Sequence, residues 1–206
     1  SLMAELRYNP LLGTWTMVAS HRQNRPQMPK NWCPFCPGSG KVPEKYDVYK
    51  YDNDFPALSR NPPEPDNVGS DFYQTRPATG ACEVLLYSSE HTKTLHELPV
   101  PHIRKLVDLW AERVTALSAE KANKYIMPFE NKGEEIGVTM PHPHGQIYAY
   151  SWIPQKVQVE LDNARAHHAS HGECIICRMN EEEKKFEKRI VFENESFYAY
   201  TPFFTD

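Results

Sequence analysis

The chain has 206 residues, 40% hydrophobic and 24% charged, with a mean hydropathy of −0.65. That length hides about 70% of the unfolded surface, enough for a core without disulfides; 23 Lys and Arg against 27 Asp and Glu leave a net charge of −4 and no broad positive field for a nucleic-acid polymer. No run approaches the roughly 20 apolar residues of a membrane-spanning helix and residues 1–8 lack a signal pattern, so a cytoplasmic location is expected.

The first 80 residues are crowded with Pro, Asn, Asp and Gly and support only short strands, predicted over 15–19 and 46–51; the loops between them are expected to line a site. A firmer strand is predicted over 83–87, with Cys82 beside it as a small buried hydrophobe. Residues 100–119 carry Ile103, Leu106, Val107, Trp110, Val114 and Leu117 at helical spacing, and Pro101 suits a first turn, where its missing amide costs nothing. Strands over 125–130 and 146–152 enclose a turn-rich stretch, and a helix over 155–168 follows Pro154.

Two segments share an order. Cys33-Pro34-Phe35-Cys36 leads through a linker, a strand and an acidic turn to Phe55, and Cys174-Ile175-Ile176-Cys177 leads through the same succession to Phe197; the offset is 141 residues at the cysteines and 142 at the phenylalanines. An internal duplication is predicted, its second copy unfinished, since 33 residues remain from Cys174 to Asp206.

Five cysteines in a reducing compartment, four of them in Cys-x-x-Cys pairs, favour metal over disulfide. A thiolate pair needs two further ligands. His91 follows one predicted strand and His142 precedes another, so Cys33, Cys36, His91 and His142 form a candidate closed zinc site of structural type. A redox pair or a metal-free turn is the alternative. Cys174 and Cys177 have His167, His168 and His171 nearby in sequence, or partners past Asp206.

The sharpest feature is Met140-Pro141-His142-Pro143-His144-Gly145-Gln146. Two histidines spaced by two on an extended segment point the same way, and Pro143 stiffens the backbone between them. Gly145 leaves room for close approach of a ligand to the main chain. A neutral imidazole attacks phosphorus readily near pH 7. A His-rich turn with metal-binding or packing duty alone is the plainer reading.

With Phe129-Glu130-Asn131-Lys132-Gly133 ahead of it, this motif closely resembles the galactose-1-phosphate uridylyltransferase family, the transferase branch of the histidine-triad superfamily. Cys33-Pro34-Phe35-Cys36, Asn53-Asp54-Phe55-Pro56-Ala57-Leu58 and His91-Thr92-Lys93-Thr94-Leu95 match in order and spacing. The resemblance implies an α+β fold, a histidine-triad-like antiparallel sheet with packed helices in a duplicated half-barrel architecture, its second copy incomplete. Residues 1–172 are expected to form the first such domain and 173–206 the start of the second.

It further implies a homodimeric enzyme that moves UMP between UDP-glucose and galactose 1-phosphate through a uridylyl-histidine. His144 would be the nucleophile. Cys33, Cys36, His91 and His142 would hold structural zinc, Asn53 and Asp54 would contact uridine with Phe55 and Leu58 packing nearby, and Asn131 and Gln146 would bond phosphoryl oxygens. Arg22 and Arg25 resemble arginines that approach phosphates, or are surface charges. Triad hydrolases carry a third histidine where Gln146 stands. Glutamine cannot titrate, and a sugar phosphate, with a second pKa of about 6, departs without an acid; transfer is thus favoured over hydrolysis. The His142 carbonyl is expected to orient the ring of His144. An adenylyl transferase or phosphorylase acting on ADP-glucose, or a non-catalytic zinc-stabilised nucleotide-binding module, are the alternatives.

Overall fold

The computed structural model describes residues 4–19, 31–133, 135 and 141–205. They divide into two compact units, Ser1–Pro154 and Gln155–Asp206. The helix after Pro154 falls in the second unit.

In the first unit β1 (Ala4–Asn9) turns back as β2 (Thr14–Ala19), and β4 (Thr75–Pro77) pairs with the free side of β1, giving a three-stranded antiparallel sheet. Asn9 Oδ1 accepts the backbone N–H groups of Leu11 and Leu12, closing the hairpin. β1 carries few apolar residues, yet its Glu5 is buried because the carboxylate accepts from Arg7 and from the Asp66 amide.

The larger sheet has the order β3 (Tyr49–Asp52), β5 (Gly80–Leu86), β7 (His144–Tyr150), β6 (Tyr125–Phe129), all antiparallel. On β7 the pleat separates two faces: Gly145, Ile147 and Ala149 are buried, while His144, Gln146, Tyr148 and Tyr150 are half-buried. α1 (Val100–Ser118) covers the first of these faces. Its Leu109, Trp110 and Leu117 pack with Leu85, Ile147 and Ala149, and each buried leucine contributes about 2 kcal/mol. The buried Glu83 on β5 receives a two-pronged hydrogen bond from Arg113 of α1, at 2.9 and 2.6 Å. Asn123 bonds the Leu117 carbonyl and caps the helix end.

The other face lies towards the small sheet. Ala4, Leu6, Ala57, Leu58, Ala78 and Cys82 form a core to which Tyr148, Tyr150 and Trp152 are added. Beside it Phe35, Val42, Tyr51, Val84 and Leu86 form another. His144 and Gln146 lie on this face.

The second unit comprises α2 (Gln155–His171), α3 (Ile175–Phe186) and the hairpin of β8 (Ile190–Glu193) with β9 (Tyr198–Tyr200). Arg189 pairs with the buried Glu183 and stacks on Phe186. The two Cys-x-x-Cys segments differ in conformation: Cys33 to Cys36 form turns, whereas Cys174 is the N-cap of α3. The linker expected after Cys177 is a helix, because Glu181 to Phe186 hold good helix formers that a search for apolar runs passes over. Antiparallel sheets with packed helices agree with the expected α+β class.

Candidate functional site

Cys33 and Cys36 lie in a tight turn, His91 in the loop after β5, and His142 just ahead of β7; their ligand atoms all lie within 4.8 Å of one another. The Cys36 sulfur is 3.3 Å from Nδ1 of His91 and 3.5 Å from Nδ1 of His142, and the Cys33 sulfur is 3.6 Å from the latter. Tetrahedral zinc, with bonds of about 2.3 Å to sulfur and about 2.0 Å to nitrogen, places these ligand atoms about 3.6 Å apart, so the donor set fits such an ion.

His142 is fully buried, and its Nε2–H donates to the Ser88 carbonyl at 2.8 Å. That bond fixes the tautomer and turns the Nδ1 lone pair towards the sulfurs. Burial lowers the His142 pKa, against the Ser88 carbonyl and with help from His91 and His144. The Cys36 thiol is pushed up to about 11, first by burial and then by Cys33. Such a thiol surrenders its proton to a cation rather than to water.

His144 opens β7. Its Nδ1–H donates to the backbone carbonyl of His142 at 2.8 Å, which leaves Nε2 with an unshared pair. Phe35, between the two cysteines, packs edge-on against both rings, with centroids 6.0 Å from His142 and 5.5 Å from His144. Gln146 lies on the same face two residues on, in one cross-strand row with Tyr51, Val84 and Phe129. Asn131 is exposed, two residues past β6.

The loop Asn53–Leu58 leaves β3 beyond that row. Asn53 Oδ1 accepts the Phe55 amide, shaping the turn, and Tyr51 donates its hydroxyl to Asp54 at 2.7 Å. Phe55 is 40% exposed and available to a ligand, whereas Leu58 is 1% exposed and buried in the core under the loop. Arg22 and Arg25 lie outside the described residues, as do Val138 and Thr139 of the approach to the motif.

One reading changes. The space beside Gly145 belongs to the protein: a Cβ there would stand 2.6 Å from the Tyr87 hydroxyl. Near Cys174 and Cys177, His167 bonds Glu173 at 3.0 Å and stacks on His171. The neighbouring amides of Cys177 and Ile176 lower the Cys174 pKa. Residues that sequence reasoning missed are Ser88, acting through its carbonyl, and Tyr46, whose hydroxyl reaches the Phe35 and Ser88 carbonyls. Neither carries a sequence signal, because the partners are main-chain atoms.

Residues 2–154 match the model of the galactose-1-phosphate uridyl transferase N-terminal domain. The chain is 39% identical over 203 residues to the galactose-1-phosphate uridylyltransferase of Thermotoga maritima, covering 98% of this chain and 63% of that protein. A solved uridylyltransferase structure superposes with a TM-score of 0.86 at 36% identity, over 97% of this chain and 62% of the other. An Arabidopsis thaliana ADP-glucose phosphorylase with bound ADP-glucose gives 0.68 at 25% identity, over 97% and 64%. The chain thus spans less than two thirds of these relatives.

Proposed function

The chain belongs to the galactose-1-phosphate uridyl transferase family, and from that premise we propose that it moves UMP between UDP-glucose and galactose 1-phosphate by a two-step displacement at His144. The observation that carries this reading is the 2.8 Å hydrogen bond from His144 Nδ1 to the His142 carbonyl, which leaves Nε2 as the nucleophilic atom. In the first step the Nε2 lone pair bonds the α-phosphorus, and the bond from phosphorus to the bridging oxygen breaks with its electron pair leaving on glucose 1-phosphate. In the second, a phosphate oxygen of galactose 1-phosphate attacks the same phosphorus, the P–N bond breaks, and Nε2 regains its pair. Nδ1 keeps its proton throughout.

Gln146 donates its amide N–H to a nonbridging oxygen and stabilises the charge that develops there. The leaving sugar phosphate needs no acid, so a side chain that cannot titrate suffices. Asn53 and Asp54 contact the uridine with Phe55 beside them, Leu58 supports that loop from the core, and Asn131, Arg22 and Arg25 serve the phosphates. Zinc is the ion assigned to Cys33, Cys36, His91 and His142. With four protein ligands it would hold loops together and take no part in the transfer. The same reading carries a homodimer in the cytoplasm; among the described residues no helix is long and apolar enough to cross a membrane.

Isotope exchange tests the proposal. Radiolabelled glucose 1-phosphate enters UDP-glucose without galactose 1-phosphate if a uridylyl-enzyme forms; an absolute requirement for galactose 1-phosphate would overturn the two-step scheme. A second reading, adenylyl transfer from ADP-glucose, draws support from the similarity to the ADP-glucose phosphorylase. Faster exchange into ADP-glucose than into UDP-glucose would select it.

A further inference from the structure

Tyr46 lies outside every motif, three residues before β3, yet its hydroxyl touches two segments that carry metal-ligating residues. Its single proton is shared in a three-centre arrangement, mainly with the carbonyl of Phe35, between Cys33 and Cys36, and at 3.2 Å with the carbonyl of Ser88. The same Ser88 oxygen accepts the Nε2–H of His142, and Ser88 Oγ accepts the amide of Glu90, which precedes His91. One phenol thus lies where the cysteine turn, the His91 loop and the His142 ring meet.

We propose that Tyr46 is a positioning residue for the four-ligand site, tying the cysteine turn to the carbonyl that sets the His142 tautomer. The proposal rests on the zinc reading above and adds to it a residue that touches neither metal nor substrate. The Ser88 carbonyl accepts from both Tyr46 and the His142 ring, and the backbone carbonyl of His142, covalently joined to that ring, accepts the Nδ1–H of His144. Loss of the hydroxyl frees the Phe35 carbonyl to turn towards water and leaves the Ser88 carbonyl tied to the His142 ring alone, so less holds that ring's Nδ1 on the sulfurs.

Tyr46→Phe removes one oxygen and leaves the ring against the cluster of Phe35, Val42, Tyr51, Val84 and Leu86. The test is zinc affinity of the whole chain by competition with a chromophoric chelator, with the ligand-field spectrum of the cobalt-substituted chain alongside. Tyr46→Phe is expected to bind zinc about 10-fold more weakly, as loss of an outer partner does, and to show altered cobalt bands. Tyr49→Phe, whose ring lies 5.8 Å from Tyr46, is expected to match wild type in both. Wild-type affinity and an unchanged cobalt spectrum in Tyr46→Phe would overturn the proposal, and an equal loss in Tyr49→Phe would reduce it to general packing and overturn it as well. A wild-type chain that takes up neither metal would bring down the zinc reading itself, a distinct failure. If Tyr46→Phe does not fold, the zinc-loaded wild type decides: a Tyr46 hydroxyl proton that exchanges slowly by NMR supports the proposal, and exchange at the solvent rate defeats it.

Discussion

The backbone carbonyl of His142 accepts the Nδ1–H of His144 at 2.8 Å, while the His142 ring turns its own Nδ1 to within 3.5 Å of the Cys36 sulfur. One residue therefore faces the candidate metal site with its side chain and the proposed nucleophile with its main chain. A single residue thus links the cysteine cluster to the ring of His144.

Acid should weaken this arrangement. Burial, opposed by the Ser88 carbonyl and aided by the charges of His91 and His144, holds His142 below the usual histidine range. An unfolded histidine titrates near pH 6.5, so the unfolded chain takes up the proton first; stability is full above about that pH and is lost as the pH falls towards the lowered folded value. Zinc shifts the loss in the same direction, because protons compete for its ligands. The metal-free chain is expected to unfold at lower urea at about pH 5.5 than at about pH 7.5, the range in which histidine titrates; a more stable chain at the lower pH would contradict this.

Gly145 is expected to tolerate no side chain while Tyr87 keeps its hydroxyl. A Cβ would stand 2.6 Å from the phenol oxygen and 3.2 Å from the Phe129 carbonyl. Gly145→Ala should cost about 1–3 kcal/mol as overpacking does. Adding Tyr87→Phe should return part of it, the Phe129 contact remaining. Urea midpoints of the two variants check this, and no recovery in the double variant would place the strain elsewhere.

Arg113 holds the sheet to α1 through a carboxylate that water scarcely reaches. Arg113→Met leaves Glu83 buried and unpaired and should destabilise the chain by about 3–5 kcal/mol. Arg113→Met with Glu83→Gln should recover much of that. Denaturant titration of both separates loss of a charge pair from loss of packing.

Gln146→His places a titratable group beside the proposed uridylyl-histidine and should raise the share of UMP released to water over that passed to sugar phosphate. Free UMP measured against UDP-sugar formed checks the direction; an unchanged ratio would remove the argument from leaving-group acidity.

Much of the site was legible in the sequence. Two cysteines in a tight turn and two histidines beside strands are brought together as their spacing suggested, while the strand expected from 146 begins already at His144, which puts His144 and Gln146 on one face. The elements with clear apolar patterns, β5, α1, β6 and β7, were visible for the same reason, and α2 from its place after Pro154. β1 was not, since its buried Glu5 breaks the apolar pattern and is satisfied by the distant Asp66 amide. β4 is three residues ending in Pro77, and α3 is rich in charge. Gly145 misled because the group that needs its space, Tyr87, is 58 positions away in the chain.

Intact mass after incubation with UDP-glucose tests the central claim most directly. The account predicts an acid-labile gain of about 300 Da, the size of a uridylyl group, in the wild-type chain and none in His144→Ala. A zinc-loaded, folded wild-type chain that gains no mass, or an equal gain in His144→Ala, would contradict it.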